Sequence, residues 1–116
     1  MPAVQLRATT TMVGAVPVVA LTGAVDVSSV VVLRDHLLRA TMDHPGRTII
    51  VDLDAVDVLD DVGLGILLGA AGRARAGGGE LVVVASSQRM RQRFAVTGFD
   101  RAVRLATTVT SALADS

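Results

Sequence analysis

Five of the ten aspartates of the chain fall between residues 52 and 61, in the run VDLDAVDVLDDVGLG. Carboxylates crowded in this way can do three kinds of work. Asp52 and Asp54 follow the apolar stretch TIIV. An Asp-x-Asp at the end of a buried strand can supply a nucleophile, an acid/base and the ligands of a magnesium ion that bridges to a phosphate. Asp60 and Asp61 stand immediately before an apolar, glycine-spaced stretch, where a carboxylate can accept backbone N–H bonds at the start of a helix. The same pair can also form half of a surface on which another protein docks.

The catalytic options fail on what surrounds the aspartates. IVDLDAV resembles the Asp-x-Asp-x-Val of haloacid dehalogenase-like phosphatases. That chemistry needs a cation for the phosphate, usually Lys, and a second acidic pair. The chain has no Lys, and past residue 61 its only acids are Glu80, Asp100 and Asp115. Asp52 and Asp54 are therefore expected to end a strand and start a turn. A phosphoacceptor receiver domain would carry its acidic pair after the first strand, where this chain has Val-Gly-Ala-Val, and would again need a lysine. His36 and His44 have no neighbouring Ser-plus-acid arrangement. Gly77 to Gly79 follows a helix, so it is a cap and turn and not a phosphate loop. The arginines at 89, 91, 93, 101 and 104 lack interleaved aromatics, and the net charge is zero, so a solvated helix face is expected and not a nucleic-acid site. With no cysteine, disulfides and thiolate metal sites are excluded. No metal, cofactor or catalytic residue is expected.

The elements that must position the acidic stretch can be read from periodicity. A chain of 116 residues that is 51% apolar suits one domain over 1–116 with a sizeable core. Phe94 and Phe99 are its only aromatics, so Val, Leu, Ile and Ala build that core. Val4 to Thr9 is an edge strand. Val16 to Thr22 is a second strand, closed by Gly23. Ser28 or Ser29 caps a helix with Val30, Leu33, Leu37 and Ala40 inward. Thr48 to Leu53 is a strand buried on both faces. Gly63 to Ala76 is a helix with Leu64, Leu67, Leu68 and Ala71 as its apolar stripe. Gly65, Gly69 and Gly72 form a second stripe, expected to pack on the sheet. Glu80 to Ala85 is another buried strand. Ser86 or Ser87 caps a helix through Val96 with Met90 and Phe94 inward, closed by Gly98 in the left-handed C′ position with Phe99 folding back. Val103 to Ala106 is a short strand, and Val109 to Leu113 a last helical turn. The order ββαβαβαβα implies an α/β fold with a mostly parallel, mixed sheet flanked by helices. Residues 1–61 carry −4 and residues 62–116 carry +4, charges that mix if the halves interleave. Met1 to Thr11 has no apolar h-region, and no apolar run approaches a membrane span, so a cytoplasmic protein is expected.

A series of short motifs then becomes specific. The chain has Leu21-Thr22-Gly23-Ala24-Val25-Asp26, Ile50-Val51-Asp52-Leu53, Leu59-Asp60-Asp61-Val62-Gly63-Leu64-Gly65, Gly78-Gly79-Glu80-Leu81-Val82-Val83-Val84 and Phe94-Ala95-Val96-Thr97-Gly98-Phe99. In order and spacing, over nearly the whole chain, they resemble the STAS domain of bacterial anti-sigma factor antagonists. The resemblance implies a non-catalytic regulator of sigma-factor-dependent transcription, active in stress responses, that binds a kinase-type anti-sigma factor. It implies docking around Asp60, Asp61, Val62, Gly63 and Leu64, with Asp26 nearby. A scaffold or sensory module that binds other STAS proteins is the alternative within the same fold. The family is controlled by phosphorylation of a Ser at the position held here by Asp61. A phosphoserine carries about −1.5 to −2 charges and three acceptor oxygens, whereas an aspartate carries about −1. Asp61 is thus not switchable by phosphorylation and resembles a permanent, weaker phosphoserine. It also suits the helix start simply as a cap, where Asp is as good as Ser.

Overall fold

The chain is represented by a computed structural model, which describes residues 5–114. Strands β1 (Arg7–Val13), β2 (Val16–Val25), β3 (Thr48–Leu59), β4 (Glu80–Val84) and β5 (Arg104–Ala106) form one sheet in the order β1-β2-β3-β4-β5. The β1–β2 pair is antiparallel and the others are parallel, as the alternating order predicts. Helices α1 (Val30–Asp43), α2 (Asp61–Ala76), α3 (Gln88–Thr97), α4 (Phe99–Ala102) and α5 (Val109–Ala114) supply the crossovers and the C-terminal cover.

The central strands β3 and β4 are apolar over TIIV and LVVV because both faces of the sheet are covered there. Val19, Leu21, Ile49, Val51, Leu81 and Val83 pack with buried residues of α1, α2, α3 and α4. The residues between them, Val18, Ile50, Val82 and Val84, pack with Ala112 of α5 on the opposite face. The period of two thus divides TIIV and LVVV between two cores.

Several boundaries differ from the expectation, each for a physical reason. β1 begins later than expected; Val4 lies outside the described residues, and the strand runs on to Val13. A two-residue turn between Val13 and Val16, with Gly14 at φ +62°, sets this register. Gly23 does not end β2. At φ +95° it sits between two register shifts of the β2–β3 ladder, in each of which β3 carries one extra residue, and β2 continues through them to Val25. That extension gives β3 a partner up to Leu59, well past the expected end at Leu53. On the other side β4 stops at Val84, opposite Asp52. The last part of β3 is therefore paired on one edge alone.

In α2, Leu64, Leu67, Ala70, Ala71 and Ala74 face the core, but Leu68 is half-exposed. The stripe of Gly65, Gly69 and Gly72 faces outward and does not pack on the sheet as expected. A Cβ built on Gly65 or Gly72 would have nothing within 4 Å. Gly98 takes the left-handed C′ position at φ +78°, and Phe99 folds back on Phe94 with ring centroids 4.8 Å apart, as expected. The short helix α4 that follows was not expected.

Candidate functional site

β2 and β3 end side by side, with Val25 paired to Leu59. Asp26 and Asp60 therefore leave the sheet at adjacent points, and the Asp60 N–H donates to the Val25 carbonyl at 3.1 Å. Each aspartate then starts a helical segment. Asp60 is extended (φ −92°, ψ 179°), and its Oδ1 accepts the Gly63 N–H at 2.9 Å. Asp60, and not Asp61, is thus the cap of α2. Asp60→Ala is expected to cost about 1 kcal/mol and Asp60→Asn much less, measured by urea denaturation.

Asp26 caps a 3-10 turn, Val27–Ser29, that leads into α1. Its Oδ1 accepts from the Ser28 hydroxyl at 2.6 Å and the Ser28 N–H at 3.0 Å, while its own N–H donates to Ser29 Oγ at 2.9 Å. The hydrogen bond from the Ser28 hydroxyl, ahead of the backbone bonds, holds the Asp26 carboxyl below the ordinary carboxylate range. Ser29 precedes α1 but makes no side-chain cap bond to it. Its hydroxyl is buried and turned back to the Ala24 and Asp26 carbonyls.

Asp61 is the first residue of α2, and its carboxylate points away from the helix. It pairs with Arg93 of α3, Oδ1 to Nη2 at 2.8 Å. Val62 is exposed beside it, as are Val27 and Val58. Gly63 and Leu64 are buried, so they support this surface from beneath and present no side chain to it. Leu64, expected at the docking site, belongs to the core.

The arginines of α3 have a role that their composition did not reveal. Beyond Asp52 no strand of the described residues covers the outer edge of β3, and buried or half-buried backbone groups need partners. Arg89 donates to the Asp57 carbonyl at 3.2 Å, and Arg93 Nη1 donates to the Leu59 carbonyl. Four helix residues rise about 6 Å and two strand residues about 6.7 Å, so two arginines four apart match two carbonyls two apart. Side chains of α3 thus stand in for a missing strand. The Arg-x-x-x-Arg spacing was visible in the sequence; the uncovered strand edge was not.

Asp52 and Asp54 do not end a strand or start a turn; both lie within β3. Asp52 Oδ1 accepts the Asp54 N–H at 3.0 Å, and Asp54 Oδ1 accepts from the Ser86 N–H and hydroxyl at 2.8 and 3.0 Å. These carboxylates fasten backbone to backbone. Among the described residues no group of three or more His, Cys, Asp or Glu is placed to hold a metal ion. No helix of the described residues is long and apolar enough to cross a membrane.

Comparison with known proteins agrees with this architecture. The STAS domain family model matches residues 7–112. An anti-sigma factor antagonist from Mycobacterium paratuberculosis superposes with a TM-score of 0.87 at 27% identity, covering 96% of this chain and 93% of its own. The unphosphorylated anti-sigma factor antagonist SpoIIAA gives 0.74 at 24% identity, covering 92% of this chain and 93% of its own. The Bacillus SpoIIAA in its phosphorylated form gives 0.70 at 24%, covering 94% and 98%. At those lower identities the likeness is one of fold.

Proposed function

Because the chain belongs to the STAS domain family, we propose that it is a cytoplasmic anti-sigma factor antagonist, which regulates bacterial stress-response transcription by binding a kinase-type anti-sigma factor. The observation that carries this reading is the likeness at 27% identity, over 96% of the chain, to an anti-sigma factor antagonist. The site supports it. Two capping aspartates, Asp26 and Asp60, sit at adjacent strand ends, and Asp61 and Val62 stand exposed where α2 begins. On β3, Asp52 holds the Asp54 N–H and Asp54 holds the Ser86 N–H and hydroxyl, and among the described residues no three His, Cys, Asp or Glu are grouped to hold a metal ion. These residues support action by binding.

Asp61 lacks the hydroxyl that the family phosphorylates, so control by phosphorylation at this position is absent. The test is a quantitative pull-down from the native lysate with wild type and Asp61→Ser in parallel, followed by incubation of the captured factor with ATP. Wild type is expected to capture a kinase-type anti-sigma factor and to stay unmodified; Asp61→Ser is expected to gain phosphate at residue 61. Capture of no such factor by either protein would remove the proposal.

A further inference from the structure

We propose that Arg93 is the counter-ion that makes Asp61 part of a permanently binding-competent surface, so that the acid does not act as a fixed phosphoserine. This rests on the antagonist function proposed above and specifies how its docking surface is set.

The charge balance comes first. A phosphoserine at residue 61 would bring about −1.5 to −2 charges. Asp61 brings about −1 at neutral pH, and the Arg93 guanidinium, always protonated, lies 2.8 Å from it. A partner that approaches α2 therefore meets an ion pair of no net charge.

Geometry fixes the pair. Arg93 is anchored at its other terminal nitrogen by the Leu59 carbonyl, and α3 is held to the same strand by Arg89 and by Ser86. The Arg93 side chain is 35% exposed while that of Asp61 is 91% exposed. The guanidinium is thus a built part of the strand end, and the carboxylate is the group drawn to it. The α2 N-terminus does not need Asp61 for capping, because Asp60 already holds the Gly63 N–H. Exposed ion pairs contribute little to stability. What this pair changes is the field that a docking protein meets, which governs association rate and its salt dependence.

The experiment is calorimetric titration and stopped-flow association with each kinase-type anti-sigma factor of the source organism, purified singly. The chains are wild type, Arg93→Met, Asp61→Asn, the double variant and Asp61→Ser. Arg93→Met exposes the carboxylate and is expected to weaken binding about tenfold, mainly through the on-rate, with the difference shrinking at high salt. The double variant carries no net charge at this point and is expected to bind within about threefold of wild type, whereas Asp61→Asn leaves the Arg93 charge unpaired and is expected to shift the on-rate in the sense opposite to Arg93→Met. If Arg93 mattered only by holding Leu59, the double variant would be as weak as Arg93→Met, and the proposal would fail. It would also fail if Arg93→Met bound like wild type, or if wild type bound nothing while Asp61→Ser bound well. If no chain, including Asp61→Ser, bound any kinase-type anti-sigma factor, the antagonist function itself would fall.

Discussion

Phe94→Ala is expected to lose about 3–5 kcal/mol of folding stability, which is a large part of the 5–15 kcal/mol that holds a domain of this size together. Phe94 is fully buried, and the chain has only one other aromatic ring with which to fill the space. That ring, Phe99, stacks on it at 4.8 Å with planes 30° apart, a contact that adds about 0.5–1.5 kcal/mol beyond area burial. The surrounding Val, Leu and Ala side chains cannot stretch to close the cavity, because close-packed cores relax only in part. The consequence reaches the docking surface. Phe94, with Met90, seats α3 on the core, and Arg89 and Arg93 on that helix hold the end of β3. Urea denaturation measures the loss, and Phe94→Leu should recover most of it. A loss under about 1 kcal/mol in Phe94→Ala would mean that α3 does not pack as described.

Element order and most of the core were legible in the sequence because both rest on local periodicity. TIIV and LVVV announced buried parallel strands, and Gly98-Phe99 announced the end of α3. Strand length was not legible. Beyond Leu53 the strand period is lost: of Asp54 to Leu59 only Val56 and Leu59, three apart, face the core. What keeps those residues in a strand is β2, which runs on through Gly23 to Val25, and a register shift between two strands leaves no mark in either one alone. The glycine stripe of α2 misled for a related reason. Glycines three and four apart define a face of the helix but not which side that face takes. The larger apolar residues Leu64, Leu67 and Ala71 settle it by burial, leaving Gly65, Gly69 and Gly72 outside. At the site, the sequence placed Asp26, Asp60 and Asp61 together through family resemblance. It did not divide their work. That Asp60 caps while Asp61 pairs follows from the position of Arg93, 32 residues further on, and only the packed helix α3 brings it there.

Gly63→Val is expected to cost about 3 kcal/mol, whereas Gly65→Ala, two residues along the same helix, should gain about 0.5–1 kcal/mol. At Gly63 even the first added carbon would lie 2.5 Å from Val25 Cγ1 and 2.9 Å from Leu59 Cδ1. Both neighbours are side chains, which give way readily only at a surface, and here they are 1% and 3% exposed. The helix must lift from the sheet or the strand ends must part. Valine adds two further methyl groups to the same collision and gains little helix propensity over glycine near a helix start. Because Val25 precedes Asp26 and Leu59 precedes Asp60, the displaced residues are those that aim the two capping aspartates, so affinity for the partner should fall together with stability. Around Gly65 nothing lies within 4 Å of an added carbon, so the lower backbone entropy of alanine decides the sign. Chemical denaturation of the two variants side by side is the measurement. Losses of equal size in both would show that α2 is not seated on Val25 and Leu59, while opposite signs would establish that closeness to the strand ends, and not helix propensity, dictates the glycine at the start of α2.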